Sequence, residues 1–181
     1  MKRLFDRIHV WLKANAPDVL ERFSPGATEE AIRAAEREMG VTLPEDVRAA
    51  YRIHDGCDAA FLYSEEWCSL EGMVYSWRML KGLLDRGDFA PNKSRPVGPI
   101  RAVWYHPGWV PITDEQSGYY HCLDMAPKSR GNVGQVFRWC HDEPGRYFQA
   151  KSFYDWVTRF VWGLEAGRYH YDEQIGRWLD Y

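Results

Sequence analysis

Nine Trp, 11 Tyr and eight Phe lie among the 181 residues of this chain, and that aromatic load constrains the fold more than any short motif does. Each ring buries a large apolar area, and each indole N–H or phenol O–H then needs a polar partner inside. Such a chain must build a thick core with satisfied polar contacts, or show some of its rings on a recognition surface, where Trp and Tyr dominate binding energy. Both outcomes fit one domain, because 181 residues suffice for one sizeable core and are short for two.

The balance of charge narrows the partners. With 45% hydrophobic and 27% charged residues the chain is globular rather than disordered. It holds no apolar run of about 18 residues that would span a bilayer, so no membrane role is expected. Lys and Arg number 23 against 26 Asp and Glu, for a net charge of -3 without a basic block, which argues against nucleic acid as a partner. Met1-Lys2-Arg3 and Ala14-Asn15-Ala16 imitate a signal peptide, but Asp6, Arg7, His9 and Lys13 interrupt the stretch between them. Residues 3–15 are therefore expected to form an amphipathic helix, and the chain is expected to stay in the cytoplasm. Cys57, Cys68, Cys122 and Cys140 have no C-x-x-C spacing, so reduced, partly buried thiols are expected.

Periodicity divides the chain into a helical first half and a strand-rich second half. Leu4, Ile8, Trp11 and Leu12 mark one helical face, closed by Pro17. Thr28 is placed to cap a helix carrying Ile32, Ala35 and Met39, with Glu29 and Glu30 over its positive end and Gly40 as its stop. Pro44 at a first helical position opens the next, in which Val47, Ala50, Tyr51 and His54 share a face. Met73, Trp77, Leu80 and Leu84 predict a helix over 70–85. Beyond it, Pro91, Pro96 and Pro99 read as a loop. Strands are expected at 101–105, 109–113, 119–124, 135–140 and 146–150, with Pro111 marking an edge or a bulge. Short connections between them favour an antiparallel meander. Ser152 then caps a helix with the stripe Phe153, Trp156, Val157, Phe160 and Leu164, whose Phe153 is expected to pack with Trp109 between sheet and helix. The tail from Tyr169 to Tyr181 reads as a short helix or a surface strap.

The order of several short segments resembles a known family. Pro25-Gly26-Ala27-Thr28-Glu29-Glu30, Leu43-Pro44-Glu45-Asp46, Tyr51 with His54-Asp55-Gly56, Trp67 to Leu70, Trp109-Val110-Pro111-Ile112 and Gly118 are among them. Leu123-Asp124, Gly134-Gln135-Val136 and Ala150-Lys151-Ser152-Phe153 follow in turn. Together they resemble the SUKH superfamily, the Smi and Knr group, over about residues 25–165. The resemblance implies an α+β domain with helices packed on a mostly antiparallel sheet and no enzymatic activity; the single domain expected across 1–181 would then have its core at about 25–165, with the first helix and the aromatic tail as extensions. Its Pro44, His54, Asp55, Gly56, Trp109, Pro111, Asp124, Gly134, Gln135, Ser152 and Phe153 would then be structural. Fungal members act as scaffolds in cell-wall and stress signalling, and many bacterial members are immunity proteins that neutralise a cognate toxin, often a nuclease.

His54-Asp55 lacks further ligands at metal spacing, and closing a helix accounts for both residues. His121, Cys122, Cys140 and His141 would offer two Cys and two His, but neighbours along an extended strand point to opposite faces, so no closed zinc site is expected. Gly131-Asn132-Val133-Gly134 lacks the lysine of a phosphate loop, and Asp124 before Met125-Ala126-Pro127 fits a turn-forming role. No catalytic, cofactor or metal residue is assigned. What remains is surface: loops are expected at 58–66, 86–99, 114–117 and 125–133, and Glu65, Glu66, Asp85, Asp88, Asp114, Glu115, Asp142 and Glu143 offer an acidic face to a basic protein partner. The leading expectation is an immunity protein bound to a toxin, and the alternative is a scaffold or regulatory interaction protein.

Overall fold

A computed structural model describes residues 1–114, 117–172 and 177–180. The helices are α1 (Lys2–Asn15), α2 (Pro17–Leu20), α3 (Glu29–Met39), α4 (Glu45–Tyr51), α5 (Leu70–Asp85) and α6 (Phe153–Glu165). The strands are β1 (Cys57–Leu62), β2 (Glu65–Trp67), β3 (Arg95–Val97), β4 (Trp109–Pro111), β5 (Thr113–Asp114), β6 (Tyr119–Asp124), β7 (Gln135–Cys140), β8 (Gly145–Ala150), β9 (Tyr169–Asp172) and β10 (Arg177–Asp180). The architecture is α+β, as the sequence implied.

Helix boundaries follow local chemistry. Thr28 accepts a hydrogen bond from Ala31 N (3.2 Å) and Gly40 ends α3 in the left-handed conformation (φ 66°). Ser69 caps α5 through Gly72 N (3.1 Å), and Ser152 caps α6 through Asp155 N (3.1 Å). Pro44 stands one residue earlier than expected: it is the N-cap, and Glu45 opens α4. Its extended ψ of 151° lies outside the helical range.

Strands β3-β8-β7-β6-β4 form one sheet, β1-β2-β5 a second, and β9 pairs with β10 in a third. Neighbours are antiparallel except β3, which runs parallel to β8. Four expectations change. Residues 95–97 pair where a loop was expected, because an edge strand can contain Pro96. Residues 101–105 form no strand, since the Trp104 carbonyl accepts instead from the Trp139 indole (2.7 Å) and the Arg146 guanidinium (2.8 Å). The 109–113 run splits at Ile112, whose N–H donates to His121 O (2.8 Å) while its carbonyl accepts from Cys68 N (3.1 Å), so the chain passes there from one sheet to the other. Finally, 58–66 is a hairpin rather than a loop. Its turn uses Tyr63 and Ser64 at φ 53° and 68°, without the Gly or Asn that would signal it. Where a short helix or a surface strap was expected in the tail, its described residues form β9 and β10, which bury Tyr171 and Trp178, and Trp178 stacks on Trp11 of α1 (5.4 Å between centroids).

The aromatic residues are divided between two faces of the five-stranded sheet. Val110, Leu123 and Val136 face a cluster that contains α6, α1 and the second sheet, with Phe153, Trp156, Phe160, Phe5, Phe61 and Trp67 at its centre. Trp109, Cys122, Phe137 and Trp139 face a second, with Leu80, Ile100 and Tyr105. Trp109 therefore does not pack against α6 as expected; alternation along β4 sends it to the opposite face from Val110. There its indole donates to Asp124 Oδ1 (3.1 Å), which also accepts from Ala126 N (3.0 Å), while Gln135 Nε2 donates to Asp124 Oδ2 (2.9 Å). Asp124 thus closes its turn and satisfies a buried indole at once.

Trp109→Ala and Phe153→Ala remove fully buried rings from different clusters, so each is expected to lower stability by about 3–5 kcal/mol. Chemical denaturation checks this; a parent-like transition in either variant would remove that ring from the core.

Candidate functional site

A concave surface lies where α3, α5 and the β1–β2–β5 sheet meet. A cavity of about 260 Å³ is lined by Ser24, Asp55, Asp58, Glu66, Ser69 and Asp114, among others. It adjoins a shallower groove of about 490 Å³ between α3 and α5, where Ala31, Ala34, Ala35, Leu70 and Val74 form an apolar floor and Glu38 and Glu71 a rim. Asp55 and Tyr75 line both, so the two form one cleft. Tyr75 is 70% exposed at its lip. Small residues on α3 make the floor, because alanines at three- and four-residue spacing let α5 approach closely.

Local rules place the acids. In β2, Glu65 and Trp67 are buried while Glu66 between them is partly exposed. In β5, Thr113 is buried and Asp114 partly exposed, and Glu66 and Asp114 are partners in the ladder. A period of two therefore sends one residue of each pair inward and the next into the cleft. The inward pair meets β6. Glu65 accepts from the Thr113 hydroxyl in a short contact and from His121 Nδ1 (2.8 Å), and the same Thr113 oxygen accepts from His121 N (2.8 Å). Glu65 is thus no surface acid, which corrects the sequence reading: with 58–66 taken as a loop, its alternation was invisible.

Asp55 is held differently. Its Oδ1 accepts from Leu70 N (2.8 Å) at the start of α5, and burial raises its pKa above the ordinary carboxylate value. Gly56 follows at φ 87°, and a Cβ there would lie 2.6 Å from Ser69 N, so glycine alone lets the α4–β1 turn seat on the start of α5. His54 bonds Ser24 O (2.9 Å) and His9 Nε2 (2.9 Å), tying α1 to that turn rather than capping its own helix. Burial, then the neighbouring His54, lowers the pKa of His9, while Asp6 opposes this and Lys2 adds to it. Arg22 pairs with Asp58 (2.6 Å) and Arg78 with Glu38 (2.9 Å), partly offsetting the rim charge.

Of the acids expected at the surface, the structure brings Glu66 and Asp114 into the cleft. Asp85 and Asp88 lie at and beyond the end of α5, paired with Lys81 (2.5 Å) and Arg86 (3.0 Å). Asp142 and Glu143 occupy the β7–β8 turn. Glu115 lies outside the described residues. Asp55, Asp58, Glu71 and Tyr75 were not singled out as binding residues, since nothing in their spacing shows that three elements converge there. His121 and Cys122 point to opposite faces of β6: Cys122 faces the second aromatic cluster, while His121 on the other face is engaged by Glu65.

A family model described as SMI1 / KNR4 family (SUKH-1) matches residues 26–159. The chain belongs to that family. Its relatives include the cell wall biosynthesis/cell cycle regulator smi1 of Schizosaccharomyces pombe, 29% identical over 92% of this chain and 36% of that protein. The glucan synthesis regulatory protein of Neurospora crassa is 24% identical over 93% and 39%. The F-box only protein 3 of Bos taurus is 36% identical over 92% and 35%. The chain thus spans little more than a third of these relatives' length. The match begins after α1 and α2 and ends before β9 and β10, so the Trp11–Trp178 stack joins two segments that both lie outside it.

Replacing Glu65 with Ala leaves Thr113 and His121 buried without their acceptor, which is expected to cost about 1–3 kcal/mol. Glu65→Gln keeps an oxygen acceptor and is expected to lose less. Denaturation of the two variants side by side checks this, and a parent-like Glu65→Ala would show that the buried contact does not hold the two sheets together.

Proposed function

We propose that this chain is a non-catalytic regulatory module that docks a protein partner in the cleft between α3, α5 and the β1–β2–β5 sheet. The observation that carries this reading is the pairing of an exposed aromatic, Tyr75, with acids on both sides of an apolar floor. Aromatic anchors beside an apolar patch supply binding energy, and rim charges set orientation and association rate. A partner segment with an apolar residue flanked by Lys or Arg fits this chemistry. The regulators of cell-wall and glucan synthesis among the relatives support the regulatory reading over toxin neutralisation. The immunity reading keeps only the acidic rim in its favour. Four buried free cysteines support a reducing compartment, and so the cytoplasm. No helix among the described residues is long and apolar enough to cross a membrane.

The test grafts this chain into the fission-yeast relative in place of the matching region. The parent graft is expected to support growth and normal cell-wall composition. A graft carrying Tyr75→Ala, Glu66→Lys and Asp114→Lys, shown to melt like the parent, is expected to fail. Equal rescue by both grafts would exclude the cleft as the docking surface. Protection against the toxic product of a neighbouring gene, with no effect on the cell wall, would restore the immunity reading.

A further inference from the structure

The β7–β8 turn does what an extended strand cannot. Cys140 ends β7, and the chain bends at His141 and Asp142, so three consecutive side chains swing to one side. One potential ligand atom from each lies within 4.8 Å of the others. A tetrahedral ion with bonds of roughly 2.0–2.3 Å to S, N and O sets its ligands roughly 3.3–3.6 Å apart, so binding would break the Cys140–Asp142 hydrogen bond and move that sulfur and oxygen apart around the ion. Sequence reasoning set Cys140 and His141 aside because neighbours in a strand diverge, and it counted Asp142 as surface charge.

The neighbouring strand orients these groups. His141 N donates to Gly118 O (3.1 Å). A Cβ on Gly118 would lie 2.5 Å from His141 Nδ1, so glycine makes room for the imidazole. The Tyr119 ring meets that imidazole edge-on (6.1 Å), and its hydroxyl donates to Asp142 Oδ1 (3.3 Å). The Cys140 thiol donates to the same oxygen (2.6 Å). Cys140 is buried, whereas His141 and Asp142 are exposed, so an ion can enter from solvent and retain a water in its fourth position.

We propose that Cys140, His141 and Asp142 form a three-ligand site for a zinc-class divalent ion, with Tyr119 as a positioning residue. The mixed sulfur, nitrogen and oxygen donors exclude calcium and magnesium, which take oxygen ligands. Binding replaces the thiol proton: the Cys140 S–H bond breaks, a sulfur–metal bond forms, and one proton leaves to the buffer for each ion bound.

The test titrates the whole chain with Zn²⁺ by calorimetry in buffers of different ionisation heat, and with Co²⁺ by absorbance. One ion per chain, about one proton released and a sulfur-to-cobalt charge-transfer band are expected. Cys140→Ser is expected to abolish the band. Asp142→Asn, at an exposed position, and Tyr119→Phe are each expected to weaken binding about 10–100-fold, with the off-site control Asp88→Asn unchanged. If Cys140→Ser misfolds, the Asp142→Asn comparison still decides. No binding, or binding that survives both Cys140→Ser and Asp142→Asn, would overturn the proposal.

Discussion

Glu65 carries a carboxylate into the seam between two sheets, where the Thr113 hydroxyl and the His121 imidazole replace water. Taking a carboxylate out of water costs several kcal/mol unless partners compensate, so this position tolerates little movement. Three strands are thereby fixed together: β2 supplies Glu65, β5 supplies Thr113 and β6 supplies His121. Because strand neighbours point to opposite faces, the same constraint turns Glu66 and Asp114 outward. A buried polar contact thus sets the geometry of an exposed acidic surface, and a one-residue slip in β2 would exchange the two.

The rest of the cleft depends on the α4–β1 turn. Asp55 reaches the first amide of α5, Gly56 lets the turn approach that helix, and His54 reaches back to Ser24 and His9. Helix α1 joins the cluster that contains Trp67, and the Phe5–Trp67 ring contact (5.5 Å) passes beneath the cleft. Most of the aromatic rings fill the two clusters, while Tyr75 remains exposed at the cleft.

Helices and the central β6–β7–β8 meander were legible because capping residues, stops and apolar periodicity act within a few residues of each other. Ser152, Gly40 and the stripe from Phe153 to Leu164 are examples. The β1–β2 hairpin was hidden because Tyr63 and Ser64 adopt left-handed backbone without glycine, and β3 because three prolines resemble a loop. Trp109 was placed in the correct strand but assigned to the wrong face, since a strand with both faces buried has no polar alternation to show its register. Of the cleft, sequence supplied Glu66 and Asp114 as acids. It did not show that Asp55 and Tyr75, 20 residues apart, line one cavity.

The docking role of the cleft is tested by a photoreactive amino acid placed at position 75 in the living cell, with the exposed position 147 on the five-stranded sheet as control. A discrete protein adduct is expected from position 75, lost when Glu66 and Asp114 are reversed to Lys, and none from position 147. An adduct from position 147 alone, or one from position 75 that persists after charge reversal, would contradict it.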